Sequence, residues 1–282
     1  MSKIYILGSS GFIGEQLLVH LNKYYAGNVL TVGRKGCDVY VDLNEDYSEL
    51  VNLVTKDDFV VFLSSISSPD ICNKQPEMAH KVNVESSIDL INKLTEKGTK
   101  VIFSSTDAVF GNKLTEATDH SDLAAFGQYG DMKAAVENAV FNNDLVKVIR
   151  FSYVLGVGDK YTAMLTQAAK SNELIEVFDG FERNVVVIDD VLEGINKLIL
   201  NWEKISTPTI NFSGSELVSR QRITELFAEH VDENLHFCTI EAPAGFWNAR
   251  PKVIAMTSNV FSSLLEKQPM AIEYKLQHWS IK

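Results

Sequence analysis

The heptapeptide Gly8-Ser9-Ser10-Gly11-Phe12-Ile13-Gly14 follows the apolar run Ile4-Tyr5-Ile6-Leu7, and its reading decides the fold. The run is short enough for a buried strand, while Phe12, Ile13, Leu17, Leu18 and Leu21 recur beyond the turn at helical spacing. In such a strand–turn–helix unit Gly8 makes the tight turn, Gly11 lets backbone N–H groups approach a pyrophosphate, and Gly14 lets helix and strand pack closely. The helix N-terminus adds partial positive charge at the same place. Glycines that only punctuate a β–α turn give the same triplet. The position directly between a first strand and a first helix favours the dinucleotide reading, with Ser10, Phe12 and Ile13 completing the turn.

Outward from this unit the pattern repeats. Ile4–Leu7, Val29–Val32, Val39–Val41, Phe59–Leu63, Val101–Ser104 and Val146–Phe151 read as strands. Helical stripes separate them: Met132, Val136, Ala139 and Val140 form one, and Val82, Val84, Ile88, Leu90, Ile91 and Leu94 form another with less clean spacing. Strand and helix in alternation predict an α/β chain, a Rossmann-type doubly wound parallel sheet with a smaller C-terminal substrate-binding domain. Residues 1–158 are expected in the first domain, with 184–202 returning to it, and 159–183 and 203–282 in the second. Thr162–Ser171 and Val191–Trp202 read as helices, Asn184–Ile188 as a strand, and Ser219 as the cap of a helix over Ile223–His230.

Charge and composition narrow the function. The formal charge is 26 − 37 = −11, which argues against a general nucleic-acid surface. No apolar run approaches the roughly 18 residues of a membrane span, and no signal-peptide pattern opens the chain. The cysteines (Cys37, Cys72, Cys238) are odd in number and lack metal spacing, so reduced thiols and a cytoplasmic location are expected. His120 and His278 stand alone, and no metal is expected.

The second strand ends Thr31-Val32-Gly33-Arg34-Lys35, without the carboxylate that would hold the ribose 2′-hydroxyl of NAD. Arg34 can instead meet a 2′-phosphate bidentately, so NADP(H) is favoured, with NAD(H) possible. A solvated basic turn is the plainer reading. Asp42, after Val39–Val41, is placed either to meet an adenine or to cap a helix. Tyr129 and Lys133 lie four residues apart in Tyr-Gly-Asp-Met-Lys, on one helix face. A nearby ammonium stabilises phenolate, which would bring the tyrosine pKa down toward a working proton relay. Thr106, in Ser104-Ser105-Thr106-Asp107-Ala108-Val109-Phe110-Gly111, leaves an apolar strand at the end that faces ligands in such sheets.

Taken in order, these segments resemble the extended short-chain dehydrogenase/reductase superfamily, and within it the dTDP-4-dehydrorhamnose reductase group. The resemblance spans nearly the whole chain. It is carried by GSSGFIG, Asp70–Asn83, SSTDAVFG, YGDMK, Arg150–Gly156, Val185–Val191 and Arg250-Pro251. It implies a catalytic triad of Thr106, Tyr129 and Lys133. It also implies a cofactor site of Gly8, Ser10, Gly11, Phe12, Ile13, Gly14, Arg34, Asp42, Leu43, Leu63, Ser64, Ser65, Asn83, Ser104, Tyr129 and Lys133. Thr106, Asp107, Ala108, Tyr153, Val154, Trp247 and Arg250 would bind a nucleotide-sugar substrate, Arg250 at its pyrophosphate. Trp247 is either a stacking surface or a core aromatic. Asp189 and Asp190 would sit at the domain junction, and a homodimer through a helix pair is common in the group.

The departures are informative too. Ala108 stands where related dehydratases carry glutamate and where the reductases carry an aromatic residue, Ile254 replaces a serine, and Leu63 replaces an asparagine. Gln16 replaces a glutamate that serves a metal-linked dimer in some relatives. The expected activity is NADPH-dependent reduction of a nucleotide-linked 4-keto sugar in surface-polysaccharide synthesis. An NAD-dependent epimerase is the nearest alternative, and a non-catalytic regulatory subunit on the same fold is the alternative of another class.

Overall fold

A computed structural model describes residues 2–112 and 116–280. Its centre is a seven-stranded sheet, and every pairing in it is parallel. The strands are β1 (Ile4–Leu7), β2 (Val29–Gly33), β3 (Val39–Tyr40), β4 (Phe59–Phe62), β5 (Lys100–Thr106), β6 (Val146–Phe151) and a last strand over Thr209–Phe212. Across the sheet they run Thr209–Phe212, β6, β5, β4, β1, β2, β3. From β1 the chain fills one half through β2 and β3, then jumps to β4 and fills the other half. The crevice between β1 and β4 is therefore the switch point where doubly wound sheets bind ligands.

Helices cover both faces. The first six are α1 (Phe12–Asn22), α2 (Ser48–Leu53), α3 (Pro69–Lys74), α4 (Pro76–His80), α5 (Ser86–Glu96) and α6 (Gly127–Val140). Alternate strand residues feed two cores: Ile4 and Ile6 face α1 and the helix Ile188–Leu200, whereas Tyr5 and Leu7 face α5 and α6. Between α4 and α5 lies a π-helical turn, Lys81–Glu85, which inserts a residue into the helical phase. That insertion explains why the stripe from Val82 to Leu94 has uneven spacing. Ala139, expected in the α6 stripe, is exposed.

A third core gathers Tyr161, Leu165, Phe227 and Leu276 from the helices Lys160–Ser171, Arg220–His230 and Ile272–Gln277. Beside it a three-stranded sheet pairs Leu217–Ser219 with Glu182–Asn184 and that strand with Val253–Ile254. Ser219 caps its helix as expected, accepting the Arg222 N–H at 3.0 Å.

Two sequence readings need correction. Asn184–Ile188 is not one strand: Glu182–Asn184 and Val186–Val187 pair with different partners, and Ile188 already begins the next helix. Thr209–Phe212, expected in the smaller part, is the seventh strand of the large sheet, and Phe261, Leu264 and Leu265 pack into the core on its face. Both errors arose because short apolar runs do not reveal their partners. No helix among the described residues is long and apolar enough to cross a membrane.

Candidate active site

A cleft of about 680 Å³ opens over the switch point. Gly8, Ser10, Gly11, Phe12, Ile13, Gly14, Leu63, Ser64, Ser65 and Ser104 line one part of it. Thr106, Asp107, Ala108, Tyr129, Tyr153, Val154 and Arg250 line the rest. The glycine turn is built for close approach. Gly8 turns with φ +94°, and a Cβ on Gly14 would stand 2.3 Å from the Gly8 carbonyl oxygen. The N-cap of α1 is Gly11, and no side chain caps the helix, so its first N–H groups remain for a ligand. This cradle fits a dinucleotide pyrophosphate.

Thr106 ends β5 and caps the short 3₁₀ turn Asp107–Phe110. Its Oγ1 accepts the Ala108 N–H at 3.3 Å and lies 3.2 Å from Asp107 Oδ1, to which it donates. Tyr129 approaches from α6, and Gly130 permits this: a Cβ there would lie 2.9 Å from the Ala108 carbonyl oxygen. The motif glycine thus sets the distance between the threonine turn and the tyrosine helix.

Electrostatics in the site depart from the sequence expectation. Burial pushes the Tyr129 phenol up to about 12; a hydrogen bond from Ser65 opposes this, and the Cys72 and Asp107 charges add to it. Lys133 was expected to draw the tyrosine down. Its ammonium instead donates to the Ser104 carbonyl at 2.7 Å and sits 4.5 Å from the Phe103 ring centroid, against 6.0 Å from that of Tyr129. Burial pulls Lys133 down to about 7, opposed by the Glu137 charge one turn along α6. Glu137 itself is buried and clamps Arg150, with Oε2 accepting Nε at 2.9 Å and Nη2 at 2.7 Å. Desolvation therefore dominates both members of the Tyr–Lys pair and favours their neutral forms.

The remaining expected residues fall outside the cleft lining. Arg34 lies exposed in the turn after β2. Asp42 does not cap a helix; it bridges Asp46 and accepts the Asn44 N–H at 2.9 Å, forming a local turn. Leu43 is a core residue. Asn83, held by the π turn, is 2% exposed and fastens the segment after β4, accepting from Ile66 N–H and donating to Ile66 O. Trp247 is half-buried, with its ring centroid 6.4 Å from that of Phe181. Tyr153 lines the cleft, but its hydroxyl is given to Asp159.

Arg183 and Arg220 also line the cleft, and sequence reasoning missed both. Arg183 Nε pairs with Asp107 Oδ2 at 3.0 Å, while burial still raises the Asp107 pKa. Its guanidinium also donates to the Glu182, Lys252 and Pro251 carbonyls. Only the pairing of Glu182–Asn184 within the small sheet brings Arg183 here, and no local motif announces that. Among the described residues, no group of three or more His, Cys, Asp or Glu side chains could hold a metal ion.

Comparison with known proteins places this geometry. A family model described as the RmlD substrate binding domain matches residues 2–279. The chain belongs to that family. Among curated proteins it is 24% identical over 243 residues to methionine adenosyltransferase 2 subunit beta of Mus musculus, covering 80% of this chain and 71% of that one. It is 22% identical over 265 residues to the "Uncharacterized UDP-glucose epimerase YtcB" of Bacillus subtilis (strain 168), covering 80% and 81%. The fold matches dTDP-4-dehydrorhamnose reductase of Bacillus anthracis str. Ames, solved with NADP, at TM-score 0.85 and 20% identity over 99% of this chain and 98% of that one. It also matches MoeE5, solved with UDP-glucuronic acid and NAD, at TM-score 0.82 and 20% identity over 99% and 97%. The family resemblance and the doubly wound sheet expected from the sequence both hold.

Proposed function

We propose that this RmlD-family chain is an NADPH-dependent reductase of a nucleotide-linked 4-keto sugar. The reading is carried by the convergence of Thr106 and Tyr129 with the glycine cradle in one cleft at the switch point. A bound nicotinamide supplies a hydride at its C4. Tyr129, neutral with its pKa raised to about 12, is a hydrogen-bond donor that transfers its proton as an alkoxide develops on the sugar. Ser65 hydrogen-bonds the phenol and steadies the phenolate left behind. Thr106 Oγ1 lies on the same wall and polarises the carbonyl. Lys133, anchored on the Ser104 carbonyl, holds the cofactor ribose.

Epimerisation would begin with Tyr129 as a base taking a hydroxyl proton, and the two activities differ in whether cofactor is consumed with turnover. Arg34, at the end of β2, is the residue that would select the 2′-phosphate. Equilibrium titration with NADPH and NADH tests this: Arg34→Ala is expected to lower NADPH affinity roughly tenfold or more, with little change for NADH. Turnover is followed at the same time as NADPH consumption with dTDP- or UDP-4-keto sugars. NAD⁺ that stays bound while substrate is interconverted without net consumption would make the chain an epimerase. Curated relatives that are subunits of another enzyme support a second reading, a regulatory subunit on this fold. Absence of any cofactor binding would favour it.

A further inference from the structure

We propose that Arg220 is the anion receptor of the substrate half of the cleft, binding the phosphate oxygens or a sugar carboxylate of the ligand, in the role that the family resemblance implies for Arg250. The inference rests on the nucleotide-sugar reading above and names the residue that recognises the substrate's charge.

Three guanidinium groups line this cleft: Arg183, Arg220 and Arg250. Two are already engaged. Arg183 holds Asp107 at 3.0 Å and three backbone carbonyls. Arg250 Nη2 donates to Asp70 Oδ2 at 2.8 Å, and Nη1 reaches the Phe246 carbonyl at 3.4 Å. Arg220 differs. Among the described residues its guanidinium makes no ion pair within 4.0 Å and donates no hydrogen bond to protein. The carboxylate whose field it feels is Asp159, and that group is fully used. Asp159 Oδ1 takes the Tyr153 hydroxyl and the Tyr161 and Thr162 N–H groups, while Oδ2 takes Thr162 Oγ1 and the Gly156 N–H.

The guanidinium is nonetheless held in place. Its carbon lies 4.2 Å from the Phe181 ring centroid and 5.0 Å from that of Tyr161. Aromatic contact of this kind occupies the faces of the guanidinium plane and leaves the in-plane N–H groups at its edge to donate. The backbone is fixed as well, since the Arg220 N–H bonds the Phe181 carbonyl at 3.1 Å and Ser219 caps the helix. Arg183 stands 4.1 Å from the same Phe181 centroid, so two cations crowd one ring and repel each other. A ligand anion at Arg220 relieves that repulsion and satisfies donors that the fold leaves unpaired.

The test is calorimetric titration of the full-length protein with UDP, UDP-glucose and UDP-glucuronate. Arg220→Met, Arg220→Lys and Arg250→Met are compared with wild type, with NADPH affinity and the melting midpoint measured alongside. Arg220→Met is expected to weaken binding roughly ten- to hundredfold, the loss of a charged hydrogen-bond pair. NADPH affinity should stay unchanged, Arg220→Lys should recover part of the loss, and Arg250→Met should lose less than Arg220→Met, because the Arg250 guanidinium is already shared with Asp70. Equal loss for all three probes assigns the diphosphate; loss confined to UDP-glucuronate assigns a sugar carboxylate. Wild-type binding with Arg220→Lys and Arg220→Met both at wild-type affinity overturns the proposal and leaves the nucleotide-sugar reading standing. Wild type that binds none of the probes overturns that reading, and the receptor with it.

Discussion

Replacing Lys133 by methionine should change how the stability of the ligand-free protein depends on pH. The side chain is 2% exposed, and its pKa falls from 10.5 in the open chain to about 7 in the fold. Between these values the unfolded chain binds a proton that the folded chain does not, so stability rises with pH through this window. Relative to a neutral amine, the lysine lowers stability by about 4 kcal/mol at pH 7 and by about 2 kcal/mol at pH 9. Methionine does not titrate. The stability of wild type minus that of Lys133→Met should therefore climb by about 2 kcal/mol from pH 7 to pH 9, whatever the packing difference between the side chains. Urea unfolding of both proteins at pH 7, 8 and 9 measures it directly, because other titrating groups cancel in the difference. A difference constant to within about 0.5 kcal/mol refutes the reasoning. It would mean that the Ser104 carbonyl, the Phe103 ring and Glu137 keep the ammonium charged inside the fold.

Gly14→Ala should cost about 1–3 kcal/mol of stability, because its Cβ would stand 2.3 Å from the Gly8 carbonyl oxygen. The same strain should remove NADPH binding measured by fluorescence titration; retained affinity would mean that the cofactor does not use this turn. Tyr129→Phe should leave NADPH affinity within about threefold while lowering turnover of a 4-keto sugar roughly 10²- to 10⁴-fold. Turnover close to wild type would place the proton donor elsewhere.

How far the sequence discloses this molecule depends on how local each feature is. β1 and β6 match their apolar runs residue for residue, because strands buried on both faces need no partner information to be recognised. The glycine turn, Thr106 and Tyr129 were legible for the same reason: each sits at a strand end or on one helix turn. Lys133 was legible as a residue, though not in its charge state, which burial decides. Arg183 and Arg220 were not legible. One is brought to the cleft by a three-residue strand and the other by the start of a helix 37 positions later, joined by tertiary pairing at Leu217–Ser219 and by packing on Phe181. Thr209–Phe212 was misplaced because nothing in four apolar-rich residues says which of two sheets they join. The π turn at Lys81–Glu85 left a trace in the uneven hydrophobic spacing, but the trace alone does not say that Asn83 is its purpose.

The late seventh strand has a consequence for how the chain comes off the ribosome. The sheet begun by Ile4 is not complete until Phe212 has been made, and its α1 face is closed by Phe261, Leu264 and Leu265. The chain must therefore emerge through residue 212 before the first strand's layer can finish assembling. Until then β6 presents a bare parallel edge, the kind of surface that invites pairing with a neighbouring nascent chain. The first half of the sheet is thus no module that could be lifted out at residue 158. A fragment cut there would lack the strand that protects its edge and the helices that cover its face.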